Sequence, residues 1–205
     1  GGQLADCTVT FDSNGGSDVE AKTVKAGKLV TEPATPTKDN RTFAGWYLVK
    51  QNGEVAKTQF DFSKPVTGDV KLIARWNRTV HYWFYKDAVI EDTGKEIVRT
   101  FPEEQDIPNV TELPNDFIVD GEYTIHGWYS STDYEYGQEV SDLDALTPVD
   151  FGNYNVYDNS PEWGCWVYCI VETDASKVTV SFDNVLYGDS IEPVKTTKGA
   201  GIAAV

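Results

Sequence analysis

The chain has 205 residues and a formal charge of −16, from 33 acidic and 17 basic side chains. That charge repels phosphate backbones and excludes nucleic acid as a partner. Aromatic residues make up 13% of the chain and long Ala/Leu/Glu/Lys stretches are missing, a balance that favours half-buried strands over helices. The expected class is mainly β, bordering on α+β, in two small domains.

Gly1-Gly2 reads as a cloning remnant. Leu4-Ala5-Asp6-Cys7 is a poor lipobox, because Asp precedes the Cys and a strand begins at once, so Cys7 reads as a strand-edge thiol. Thr8 to Phe11 alternates as a strand, and Asp12-Ser13-Asn14-Gly15-Gly16-Ser17-Asp18 is a run of turn formers. The alternating oxygen ligands of this run suit a calcium loop, but position twelve holds Thr23 instead of Glu, which favours a hairpin turn. Extended pieces at Ala21 to Lys25 and Lys28 to Val30 flank Gly27, and Pro33 and Pro36 then break the chain. Thr42 to Val49 forms the next strand, and Gly53 marks a turn. Phe60 to Val66 has room for at most one helical turn. Val70 to Trp76 returns as a strand with Val70, Leu72, Ala74 and Trp76 on one face.

Gly45-Trp46-Tyr47 recurs as Gly127-Trp128-Tyr129, an offset of 82 residues. Ahead of it Val9-Thr10-Phe11 aligns with Tyr82-Trp83-Phe84 at an offset of 73, and after it Leu72-Ile73-Ala74 aligns with Val167-Tyr168-Cys169 at 95. The second half is therefore a divergent copy with two insertions, both between strands, where loops absorb length cheaply. Val178 to Asp183 restates Cys7 to Asp12, and Gly188 to Pro193 echoes Gly27 to Pro33, so a third copy begins near Lys177 and stops before any Gly-Trp-Tyr strand. The expected organisation is a first repeat over 7–76, a second over 80–172 with a long loop, and a partial third or tail over 177–205. The two full repeats are joined near Asn77-Arg78-Thr79. A linker so short and polar predicts an elongated monomer.

Six ordered elements carry a resemblance over 7–76: Val9 to Phe11, Asp12 to Gly16, Gly27 through Pro36-Thr37-Lys38, Phe43 to Tyr47, Asp61 to Thr67, and Leu72 to Trp76. This pattern resembles the Listeria-Bacteroides repeat, the internalin B-repeat, of bacterial surface proteins. The resemblance implies tandem β-grasp-like sheets with short helical turns, an extracellular place at the bacterial cell surface or in secretion, and no shared catalytic residues.

Gly45 and Gly127 before Trp let the wide indoles of Trp46 and Trp128 lie against backbone as core anchors, while alternation sends the Tyr that follows, as Tyr47 follows Trp46, to the opposite face and solvent. Cys169 takes the place of Ala74 and reads as a small buried hydrophobe, with Cys165 on the same face. In an extended strand those two cysteines lie roughly 13 Å apart, beyond disulfide reach. His81 and His126 fit no ligand motif, so zinc and other metals are not expected. His126, two residues before Trp128, is expected on the same face at the rim of the core. No nucleophile elbow, phosphate loop or dinucleotide fingerprint occurs, so neither catalysis nor a cofactor is expected.

The segment from Ser130 to Glu162 interleaves aromatic and acidic groups. As a binding patch it would use the rings of Tyr134, Tyr136 and Tyr154 with Asp133, Glu135 and Asp150 as acceptors, for a neutral glycan or a protein of a host or neighbouring cell. As a self-packed loop it would turn those rings inward. No stretch of this fragment has membrane-spanning length. The functional expectation is a non-catalytic surface repeat used for adhesion or spacing, with ligand binding through the long loop as the alternative.

Overall fold

A computed structural model of the chain describes residues 2–86, 94–130, 143–152 and 164–173, together with the backbone of 177–180 and 194–197. The protein is mainly β. Among the described residues the single helical element is a 3-10 turn, Leu143–Ala145. Two compact units divide the chain: residues 1–79 with 100–106, and residues 80–99 with 107–205.

The first unit holds β1 (Asp6–Asp12), β2 (Lys22–Lys25), β3 (Thr42–Val49), β4 (Val55–Gln59) and the opening part of β5 (Val70–Lys86), in the order β2-β1-β5-β3-β4. β1 and β5 run parallel, with Val9 opposite Val70 and Phe11 opposite Leu72; the other pairs are antiparallel. Strict alternation in β1 buries Cys7, Val9 and Phe11 and exposes the residues between them, so one face packs against the core and the other meets water. Cys7 is thus a core residue of an interior strand, in contrast to the edge thiol that the sequence suggests. Asn77, Arg78 and Thr79 lie inside β5 and form no loop.

In β3, Phe43 opposes Trp76 and Trp46 opposes Ala74, so one extra residue is absorbed between them as a β-bulge. Gly45 carries it at φ 110°, a backbone conformation that side chains disfavour. Without the bulge, residues three apart would face opposite ways. With it, Phe43 and Trp46 turn to the same side and meet edge to face at 5.5 Å, while Phe11 meets Trp46 at 5.0 Å. The motif aromatic-x-Gly-Trp therefore encodes a parity change.

The loop after β1 is a turn built on Asn14 (φ 52°) and Gly15 (φ 88°), closed by the Gly16 amide donating to Ser13 O at 3.1 Å. A Cβ on Gly16 would sit 2.4 Å from the Trp76 ring, and the Trp76 indole N–H donates to Ser13 O at 2.9 Å. Lys38 Nζ donates to Asn14 O at 3.0 Å, which ties this loop to the approach to β3. The Phe60 to Val66 segment is a turn, held by the Asp61 carboxylate accepting from Ser63 N and Oγ. Those bonds, aided by Lys64, keep the Asp61 carboxyl below its usual range.

The second unit repeats the plan with β6 (Lys95–Pro102), β7 (Tyr123–Tyr129) and β8 (Cys165–Thr173) around the later part of β5. β7 bulges between Ile125 and Trp128 against β8, and Gly127 sits at φ 113°. Trp128 opposes Cys169 as Trp46 opposes Ala74. The Val149 amide donates to Trp128 O as Phe60 does to Trp46 O, both at 2.8 Å. β5 and β8 pair in parallel with Tyr82 opposite Val167. Tyr82 thus stands where Phe11 stands, two residues from the sequence alignment, which matches Phe84 to Phe11. A shift of two preserves the inward face, and both Tyr82 and Phe84 pack edge to face on Trp128.

Cys7, Cys165 and Cys169 are all buried thiols, none of them joined in a disulfide. β9 (Lys177–Val180) pairs with β10 (Val194–Thr197), which comes after Pro193, whereas β2 precedes Gly27.

Trp46 and Trp128 are 1% and 6% exposed. Replacing either with Ala is expected to cost about 3–5 kcal/mol, measured by denaturant unfolding. Among the described residues Trp46 Nε1 meets no hydrogen-bond partner, so Trp46→Phe, which keeps an aromatic ring and removes that donor, is expected to cost distinctly less than Trp46→Ala.

Candidate functional site

Unlike strands exposed to water on one side, β8 is buried on both faces: Val167, Cys169 and Val171 point to the core, and Tyr168 and Ile170 to the opposite side. That opposite side forms its own cluster, in which Tyr129, Tyr168, Ile170 and Leu146 are buried and Trp83, Tyr85 and Trp166 pack around them. Trp83 and Tyr85 stack at 6.4 Å, Trp166 and Tyr168 at 6.1 Å, and Tyr129 lies 5.5 Å from Tyr168.

The register assigns these residues their counterparts in the first unit. Tyr168 corresponds to Ile73, Ile170 to Arg75, Trp166 to Lys71 and Trp83 to Asp12. A mixed, largely polar outer face in the first copy has become aromatic in the second. Tyr129 accordingly departs from the expectation that the Tyr of the motif meets solvent: it is 4% exposed, and its hydroxyl donates to His126 O at 2.8 Å.

His126 also departs from its expected place. The bulge falls between Ile125 and Trp128, so His126 turns away from the Trp128 core and lies on the face of Tyr129 and Ile170. There its ring nitrogens stand 3.8 Å from Asp144 Oδ1 and 3.8 Å from Glu172 Oε1. Counting residues as a regular strand misses this; the glycine at 127 is the available signal. His81 pairs with Glu96 at 2.9 Å. No group of His, Cys, Asp and Glu among the described residues is arranged to hold a metal ion.

Of the six residues expected to bind a ligand, Asp133, Tyr134, Glu135, Tyr136 and Tyr154 lie outside the described residues. Asp150 is described. Its carboxylate accepts from Gly152 N at 3.1 Å, as Asp61 accepts from Ser63 N, so at least one role of Asp150 is to shape the turn after the Trp128 strand. The described stretch of the long loop, residues 143–152, packs inward through Leu146.

A cleft of about 500 Å³ in the first unit has Leu48, Phe60, Val66 and Val70 in its lining together with Asp61, Lys64 and Asp69. Both carboxylates serve the backbone, Asp61 at Ser63 and Asp69 at Thr8 N.

Residues 8–75 match the Listeria-Bacteroides repeat domain family. A protein of Evansella cellulosilytica named as a Gly-rich membrane protein is 29% identical over 161 residues, 75% of this chain and 17% of the relative. A protein of the same organism named as a membrane protein is 30% identical over 136 residues, 64% of this chain and 19% of the relative. Internalin H of Listeria monocytogenes is 32% identical over 126 residues, 60% of this chain and 20% of that protein. The chain therefore spans a fifth or less of the length of these relatives. No solved structure matches significantly.

Burial pushes the Tyr129 phenol up, with Asp144, Cys169 and Glu172 adding to the rise. A phenol held above its unfolded value of about 10 stabilises the fold below that pH, and the contribution is lost as pH rises through the folded value. Wild type is therefore expected to lose stability above about pH 10 more steeply than Tyr129→Phe, measured by urea midpoints along an alkaline series. Burial likewise raises the Cys169 thiol. In the folded protein it is expected to resist iodoacetamide at about pH 8 and to react only after denaturation.

Proposed function

We propose, on the premise that residues 8–75 are a Listeria-Bacteroides repeat, that this chain is a non-catalytic, extracellular stretch of a bacterial surface protein. In this reading it spaces and presents other parts of that protein and contributes to adhesion. The observation that carries the reading is that one core plan, a glycine bulge seating a Trp under a three-strand register, is built twice in tandem. Repetition of a self-supporting core suits spacing, whereas catalysis calls for convergent polar groups in a cleft. The names of the membrane-protein relatives and of internalin H support a place at the cell surface. The order β2-β1-β5-β3-β4 with a central parallel pair supports assigning the repeat to a β-grasp-like arrangement.

Antibody against this fragment is expected to label intact cells of the source bacterium, and external protease to remove the label. Labelling that needs lysis would rule out surface display.

A second reading, binding through the second repeat, is favoured by the half-buried rings of Trp83, Tyr85 and Trp166 at the rim of the outer face that the long loop partly covers through Leu146. Its partners would be neutral glycans or basic patches of proteins, because stacked rings supply apolar contact and carboxylates accept hydrogen bonds from hydroxyl or cationic groups. Tyr134→Ala with Tyr136→Ala is expected to abolish binding on a glycan array or matrix-protein screen while leaving the melting temperature within a degree or two. A blank screen with the wild-type chain removes this reading.

A further inference from the structure

Lys38 and Arg41 hold a carboxylate that comes from well beyond their own repeat. Glu103 Oε1 accepts from Lys38 Nζ at 2.6 Å and from Arg41 Nε at 3.1 Å, and the Arg41 side chain is 8% exposed. The Glu103 amide donates to Trp76 O at 2.8 Å. Lys38 Nζ also donates to Asn14 O and lies 5.8 Å from the Trp76 ring centroid. Glu103 thus joins the loop after β1 and the approach to β3 through its carboxylate, and the middle of β5 through its amide. The match to the repeat family ends at residue 75, and Glu103 belongs to residues 100–106, which the first unit takes from beyond the start of β6.

We propose that Lys38 and Arg41 form a carboxylate-receiving site that selects which repeat can succeed the first one in the chain. Its partner is an acidic segment at the end of the second strand of the succeeding repeat, here Glu103. An ammonium and a guanidinium converging on one oxygen in a partly buried place favour an ionised carboxylate over any neutral group. Losing that carboxylate removes the charged acceptor that the two cations share. The second repeat lacks the site. Counting back from the bulge, Asp120 and Tyr123 stand where Lys38 and Arg41 stand, and neither is a cation. Repeats of this chain are therefore not interchangeable in order: the first is built to accept an acid-bearing successor, and the second is not.

The test uses the full chain and hydrogen exchange. Its reporters are the Trp76 indole N–H and the Gly16 amide, which both donate to Ser13 O, with strand amides of β8 as the internal control. Glu103→Lys is expected to speed exchange at both reporters by roughly tenfold or more, since charged hydrogen bonds of this kind are worth that factor, and to leave β8 unchanged. Glu103→Gln, nearly isosteric, should give an intermediate increase and guards against gross misfolding. Combining Glu103→Lys with Arg41→Glu, which keeps the Lys38 bond to Asn14 O, should restore part of the protection. The proposal fails if both Glu103 variants exchange like wild type, or if this charge-swapped double variant is as open as Glu103→Lys alone.

Discussion

A strand has a period of two, and Phe43 and Trp46 are three residues apart; the fold depends on reconciling the two spacings. Gly45 does so by accepting a positive φ and absorbing one residue, so that both rings enter one core. A side chain at this position would meet backbone strain and also Gln59, 2.7 Å from the Cβ it would carry. The rest of the first core is arranged around that placement. Trp46 sits over Ala74, Phe11 packs its edge on Trp46, and Trp76 turns its indole toward the loop after β1. Gly127 performs the same operation with Ile125 and Trp128 over Cys169.

Because the inner face is fixed in this way, the outer face is free to diverge. The first copy carries Asp12, Lys71, Ile73 and Arg75 there, and the second carries Trp83, Trp166, Tyr168 and Ile170. Leu146 and Tyr129 close over part of that aromatic surface, which is why the Tyr of the motif is buried in the second unit. A module that keeps one face for folding and varies the other is suited to tandem use, and the proposed roles in spacing and adhesion draw on opposite faces of the same sheet.

Much of the fold is legible in the sequence because strand alternation, turn residues and the recurring Gly-Trp-Tyr are local signals. The repeat alignment alone sets Cys169 in the place of Ala74 and Trp128 in that of Trp46, and the register then pairs them. The misplacements share one cause: pairings distant in sequence leave no local trace. Alternation sets His126 beside Trp128, and the bulge sends it to the other face. Matching Phe11 to Phe84 is sound by composition, yet register chooses Tyr82, a slip that alternation cannot detect. Cys7 looks like an edge thiol because parallel pairing of β1 with a strand some sixty residues later is invisible locally. For the expected binding loop, Asp150 resolves into a turn former, while Tyr134, Tyr136 and Tyr154 stand outside the described residues.

The central claim, that a positive-φ glycine sets the core in both repeats, is tested most directly at Gly127. There an added Cβ would lie 3.3 Å from the Tyr129 hydroxyl, a contact that a shift of a few tenths of an ångström relieves, so backbone conformation weighs more than it does at Gly45, where Gln59 stands at 2.7 Å. Semisynthetic chains carrying L-alanine or D-alanine at this position separate the two effects, because D-residues favour positive φ. In denaturant unfolding, L-alanine is expected to cost about 1–3 kcal/mol and D-alanine close to nothing. An L-alanine chain as stable as the glycine chain, or a D-alanine chain equally destabilised, would contradict the account.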